Sequence, residues 1–219
     1  MGSVRWFGHA AFELVIDGVK ILIDPWISNT LSPVKLDELG GFDLILVTHD
    51  HGDHLGETVD IAKRSKARVV GIHELSVYLG EKGLETVGMN IGGCMEFKGL
   101  RITMTQAFHS SSRGSPVGYI VSGGETSIYH AGDTGLFGDM KIIGELYKPR
   151  IALLPIGGHY TMGVDEALIA VEYIKPETVI PMHYNTFPVI RADAEKFRED
   201  GVRKGVKCIV LKPGEAYKF

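Results

Sequence analysis

The sequence predicts an α/β protein of four layers: two mixed β-sheets face to face, with helices on both outer sides. Three observations predict it. Short strands and helices alternate along all 219 residues. Two β-rich stretches are each followed by helices, so the halves share one layout, which fits an α/β/β/α sandwich better than a single doubly wound sheet. No linker, low-complexity tract or charge block divides the chain, so residues 1–219 are expected to form one domain.

The elements follow in order. Phe12–Ile16 reads as a strand, Asp17-Gly18 as a tight hairpin turn, and Val19–Ile23 as the returning strand, which stops at Asp24-Pro25. Asp43–Thr48 is a nearly continuous apolar run, as expected of a strand buried on both faces. Glu57–Lys66 reads as a helix, Arg68–Ile72 as a strand, and Glu74–Lys82 as a helix stopped by Gly83. The β-rich centre contains Met95–Lys98, Arg101–Thr105, Val117–Ser122 and Thr126–His130, with turns at Lys98-Gly99 and Gly123-Gly124. Asp139–Tyr147 is expected to be helical and Ile151–Ile156 a strand. Val164, Ala167, Leu168, Val171 and Ile174 share one helical face, and Pro176 ends that helix. Thr178–Met182 is a strand, Ala192–Lys204 a helix and Lys207–Leu211 the last strand.

Composition narrows the function. Lys+Arg is 23 against Asp+Glu 27, a net charge of -4, which argues against a nucleic-acid binder. No apolar run reaches the roughly 18 residues of a membrane span. The segment Met1–Phe7 lacks the basic-then-apolar layout of a signal peptide. The two cysteines, Cys94 and Cys208, read as free thiols of a cytoplasmic protein, and their spacing excludes a cysteine-built zinc site. The 28 glycines exceed a background of about 7%, and the nine histidines crowd together.

That crowding carries the chemistry. Thr48-His49-Asp50-His51-Gly52-Asp53-His54 directly follows an apolar strand. His49 and His51 are two apart, so an extended segment can point both the same way. Gly52 lets the chain turn, which brings Asp53 and His54 toward a neighbouring point. Imidazole and carboxylate suit zinc, and also iron or manganese. Further candidates end other strands: His109, Asp133 after Ala131-Gly132, and His183. Loops at strand C-termini are where α/β proteins build sites.

These residues resemble the metallo-β-lactamase superfamily, whose signature is His-x-His-x-Asp-His followed by a distant His, Asp and His. Trp6-Phe7-Gly8-His9-Ala10, Ile23-Asp24-Pro25, Leu154–Gly158, Tyr160–Gly163 and Pro181–Thr186 narrow the resemblance to a branch of small metal-dependent hydrolases related to bacterial ascorbate-phosphate lactonase. The resemblance implies two divalent metal ions, with zinc the first expectation and manganese or iron the alternatives. His49, His51 and His109 would hold one, and Asp53, His54 and His183 the other, with Asp133 bridging them. It implies hydrolysis of a small ester, lactone or phosphoester by a metal-bridging hydroxide, with Asp53 orienting it. It also admits a homo-oligomer.

Other residues take lesser expectations. His9 and His159 sit beside glycines in loops that the resemblance places near the metals, where they would bind substrate, donate a proton to a leaving group, or only hydrogen-bond a ligand. Asp24 is expected to orient a ligand histidine. Asp50 reads as a solvated filler, and Ser110-Ser111-Ser112 as a polar loop. Arg113 reads as a solvated loop arginine or a grip for an anionic substrate. Tyr160, Tyr184 and Asn185 would line the pocket or pack beside it, and His73 and His130 are structural. Two other activities share such a fold: nucleic-acid phosphodiesterase, which the charge disfavours, and iron redox chemistry, whose diiron form usually has a carboxylate where His51 stands.

Overall fold

The computed structural model describes residues 2–219. Two seven-stranded sheets form its middle. In the first sheet, β1 (Ser3–Trp6), β2 (Phe12–Ile16) and β3 (Val19–Ile23) run antiparallel, and β4 (Leu44–Leu46), β5 (Arg68–Ile72) and β6 (Thr86–Met89) continue parallel to β3. The second sheet repeats that plan. There β7 (Cys94–Phe97), β8 (Leu100–Gln106), β9 (Val117–Gly123) and β10 (Thr126–His130) are antiparallel, while β11 (Ile151–Pro155), β12 (Thr178–Met182) and β13 (Lys207–Cys208) extend it in parallel. The chain ends in β14 (Ala216–Lys218), which crosses back to pair antiparallel with β1.

The helices are α1 (Gly52–Leu55), α2 (Thr58–Ser65), α3 (His73–Glu81), α4 (Met140–Tyr147), α5 (Val164–Ile174) and α6 (Ala194–Arg203). Helix α3 packs on β5 and β6, and α5 and α6 pack on β11 and β13, so each sheet has helices on its outer side. The expected four-layer sandwich is the observed one. Among the described residues no helix is long and apolar enough to cross a membrane. Both cysteines are free, Cys94 exposed and Cys208 buried.

The sequence reading missed β1, β6 and β14 and overran β13, which stops at Cys208. These are short or edge elements: β6 carries Gly88, and β14 exists only because β1 offers it a ladder. Helix α6 starts two residues late because the Asp193 carboxylate accepts from the Lys196 backbone N–H at 2.9 Å and so caps it.

The two sheets are tied together beside the strand ends that carry the histidines. Buried Tyr119 on β9 donates its hydroxyl to the Val47 carbonyl at 2.8 Å, and the Val117 N–H donates to the Thr48 carbonyl at 3.0 Å. The loop bearing His49 is therefore held by both sheets before any side chain of the cluster is considered.

Candidate metal centre

Six loops converge at one edge of the sandwich. His9 follows β1, Asp24 follows β3, and His49 to His54 follow β4 and run into α1. His109 follows β8, Asp133 follows β10 and His183 follows β12. Three of these residues adopt left-handed backbone conformations, His9 at φ 52°, Asp24 at 46° and His183 at 53°. Non-glycine residues hold such angles only where surrounding contacts impose them. Here one contact joins two of the loops: the His183 N–H donates to the His9 carbonyl at 2.9 Å. Asp133 needs the glycine before it, because Gly132 sits at φ 63° and a Cβ there would run into the Val117 carbonyl.

The side chains then gather. His49, His51 and His109 offer ring nitrogens within 4.8 Å of one another, and the ring nitrogens and carboxylate oxygens of His49, His54 and Asp133, and of His9, Asp53, His54 and His183, gather as closely. The rings are aimed from behind. Thr48 Oγ1 donates to Asp24 Oδ2 at 2.7 Å, and His49 Nδ1–H donates to that same Thr48 oxygen at 3.0 Å. His54 Nδ1–H donates to Asp24 Oδ2 at 2.7 Å. Both histidines are thereby fixed with Nε2 toward the centre. Asp24 itself is fully buried and also accepts from the Thr48 N–H at 2.8 Å.

At the centre the ligand atoms crowd together, several of them without a hydrogen-bond partner. His54 Nε2 is 3.3 Å from Asp133 Oδ1, and His183 Nε2 is 2.9 Å from Asp133 Oδ2 without hydrogen-bond alignment. His49 Nε2 is 3.0 Å from His51 Nδ1. His54 Nε2, Asp133 Oδ1 and both nitrogens of His183 are buried with no hydrogen-bond partner. Such orphaned atoms are costly unless a cation or proton lies between them. Titration behaviour agrees. Burial, helped by the charge on His54, presses His49 down to about 2, so its imidazole is neutral and its lone pair available. Burial opposes charge on His54, but the carboxylates of Asp133 and Asp24 on either side override it and lift His54 well above the ordinary range. Burial likewise opposes charge on Asp133, yet His183 and His54 hold its carboxyl well below the usual range. The site favours positive charge at its centre, and the donor set of imidazoles and carboxylates suits a borderline divalent metal.

His9 is buried and lies behind this group. Its Nε2–H donates to Asp53 Oδ2 at 3.1 Å, and its Nδ1 is 2.5 Å from Thr186 Oγ1. Burial is the chief cause that lowers His9 to about 4, against the bond to Asp53 that would raise it. Asp53 faces a cleft of about 650 Å³ lined also by His51, His109, Asp133, His183 and Ser110. The remaining wall is apolar, built from Trp26, Phe187, Val189 and Tyr160.

Some expectations need correcting. Asp50 is no solvated filler: its side chain is 1% exposed. It accepts from Ser111 Oγ at 2.9 Å, from the Ser112 N–H at 2.8 Å and from Arg113 Nη1 at 2.7 Å. Arg113, which also lies 3.9 Å over the Tyr78 ring, is thus committed to holding the loop that carries His109 rather than free to grip a substrate. Removing the carboxylate leaves those donors unpaired. Asp50→Ala should cost about 1–3 kcal/mol, and a thermal melt should show a fall of several degrees, about 2–4 °C per kcal/mol at this chain length. His159 is exposed, at φ 58° with its ring against Tyr160, and it is absent from the lining of the cleft and from the clusters above. His9 is fully buried and is not among the residues that line the cleft. Tyr184 is buried and stacks on Trp6, and Asn185 accepts from the Ala192 N–H, so neither lines the cleft. His130 is buried, donating to the Ala10 carbonyl at 3.0 Å and accepting from the Gly132 N–H at 3.1 Å.

The sequence reading gave Thr186 only as the end of the Pro181–Thr186 segment, with no role, and overlooked Trp26, Phe187 and Val189. No local signal pairs Thr186 with His9, which is 177 positions away. For the other three the signal was available: bulky apolar residues beside Pro25 and Pro188, in segments with neither helical nor strand periodicity.

Comparison with known proteins yields close relatives. A family model described as a β-lactamase superfamily domain matches residues 19–184. A UPF0173 metal-dependent hydrolase of Thermofilum pendens is 53% identical over 227 residues, covering 100% of both chains. One of Caldivirga maquilingensis is 57% identical over 220 residues, covering 98% of this chain and 97% of the other. The solved structure of Igni18, a metallo hydrolase of Ignicoccus hospitalis, has a TM-score of 0.96 at 46% identity, covering 100% of this chain and 99% of that one.

Proposed function

The chain belongs to the metallo-β-lactamase superfamily and, within it, to the UPF0173 metal-dependent hydrolases, and from that membership we propose that it hydrolyses a small ester, lactone or phosphoester at a centre of two divalent cations. His49, His51 and His109 would hold one cation; Asp53, His54 and His183 would hold the other, with Asp133 shared between them. Zinc is the first choice for this donor set, with manganese or iron as alternatives. The observation that carries the proposal is Asp133, buried with its carboxylate oxygens facing the nitrogens of His54, His109 and His183 across gaps of 3.3, 3.6 and 2.9 Å.

Bound divalent cations supply Lewis acidity, which acidifies water and polarises the scissile group. The chain's own residues do the positioning. Asp24 and Thr48 set the tautomers of His54 and His49. Asp53, a quarter exposed to the cleft, accepts a hydrogen bond from the attacking water and is steadied from behind by His9 and Thr186. His9 is a positioning residue in this account. His159 stands away from the cleft and has no assigned step. The serine run is tied to Asp50, so no side-chain nucleophile is invoked.

A screen of p-nitrophenyl esters against bis-p-nitrophenyl phosphate, on protein of measured metal content, tests the reading and separates carboxylic from phosphoric substrates. Turnover of either that scales with bound metal is the expected result. A metal-loaded protein that cleaves neither would count against it.

A further inference from the structure

We propose that the cleft takes a substrate whose non-reacting part is uncharged and aryl or alkyl, seated on a wall made by Trp26, Phe187 and Val189. The proposal deepens the hydrolase reading above and rests on it.

Trp26 and Phe187 stack at 5.6 Å between ring centroids and 22° between planes. The His9 ring meets both edge-on, at 5.1 and 5.6 Å, so the pair is seated on a buried support. Val189, 53% exposed, and Tyr160, 54% exposed, continue the apolar surface to the cleft mouth. Exposed apolar residues concentrated around a concave site mark a ligand surface. An aryl group laid on the stacked pair gains offset-stacking contact.

Charge points the same way. Among the described residues no lysine or arginine lines the cleft, whereas Asp53 and Asp133 do. Arg113 beyond it is occupied by Asp50 and Tyr78. The chain is not short of cations: Lys141, Lys148, Arg150 and Lys175 line a groove at the other end of β11 and β12, before those strands begin. An anionic handle remote from the metal ligands, such as the phosphate of an ascorbate phosphate, would find no partner in the cleft and would lose its water.

The test compares phenyl acetate with para-acetoxybenzoate, which share the reacting ester and differ in one remote carboxylate. The metal-loaded protein should favour phenyl acetate in kcat/KM by about tenfold or more. Phe187→Ala should shrink that ratio, and Val189→Lys, at an exposed position, should raise turnover of the carboxylate. Equal turnover of the two esters, or a ratio unmoved in both variants, would overturn the proposal. A second readout needs no turnover: quenching of Trp26 fluorescence by para-methylbenzamide against para-carboxybenzamide, with Trp26→Phe as the blank. If neither ester is cleaved, aryl acetates are not substrates and the hydrolase reading is judged by the screen above, while this titration decides the wall alone. Stronger quenching by the uncharged amide supports it, and equal or stronger quenching by the carboxylate overturns it.

Discussion

Asp133→Ala should remove hydrolysis and strip the protein of bound metal. The Asp133 carboxylate is the one group set between His54, His109 and His183, at 3.3, 3.6 and 2.9 Å. Outer partners of metal ligands already contribute about 10–100-fold to metal affinity or activity. A carboxylate shared by two cations should therefore exceed about 100-fold, and elemental analysis of the purified variant should show the loss directly. Folding should survive better than function. With the carboxylate gone His54 keeps its other partner, the Asp24 carboxylate at 2.7 Å. Far-UV circular dichroism should stay native while the metal content falls. Undiminished turnover would remove Asp133 from the site.

Asp24→Ala should damage stability and metal binding together. Asp24 never reaches the cleft, yet it accepts from the Thr48 N–H, from Thr48 Oγ1 and from His54 Nδ1–H, at 2.8, 2.7 and 2.7 Å. All of these donors are buried. Emptying the position leaves them unpaired, a cost of about 3–5 kcal/mol by analogy with breaking a buried charged pair. It also frees the tautomers of His49 and His54, which should weaken metal affinity about 10–100-fold. Asp24→Asn separates the two effects. The amide oxygen can still accept from the Thr48 N–H, but its NH2 group meets the His54 Nδ1–H donor. Near-native melting with weakened metal binding is expected, measured by thermal denaturation beside a chelator competition. Native metal affinity in Asp24→Asn would show that His54 does not depend on this partner.

Much of the fold was legible because its signals are local. The Asp17-Gly18 turn, the apolar run before Thr48 and the face shared by Val164, Leu168 and Val171 each report on residues within one element. The unread strands depend on distant partners: β14 is a strand only against β1, some two hundred residues earlier in the chain. The same division holds at the site. His49, His51, Asp53 and His54 stand in one short motif, and His109, Asp133 and His183 follow strand ends, so residue type and position marked as candidates the residues that the fold brings together. Asp50 misled because nothing near it in sequence shows that Ser111, Ser112 and Arg113 return across 60 residues to bury it. His159 misled for a related reason: its flanking glycines signal a turn but not the direction in which the ring points, and at φ 58° the ring lies outside, against Tyr160.

The excess of histidine and glycine now has a spatial meaning. Buried imidazole and carboxylate atoms left without hydrogen-bond partners are a poor arrangement for the protein alone and a good one around cations. Metal should therefore stabilise the fold as well as enable chemistry, since a ligand that binds only the native state raises its apparent stability.

The most direct measurement is a metal-removal cycle on one preparation. Chelation followed by desalting should abolish ester or phosphodiester cleavage and lower the melting temperature. Adding back a divalent cation should restore both, with activity reaching its plateau at two equivalents per chain. A metal-free protein that keeps its full rate, or a metal titration that changes neither activity nor melting, would contradict the account.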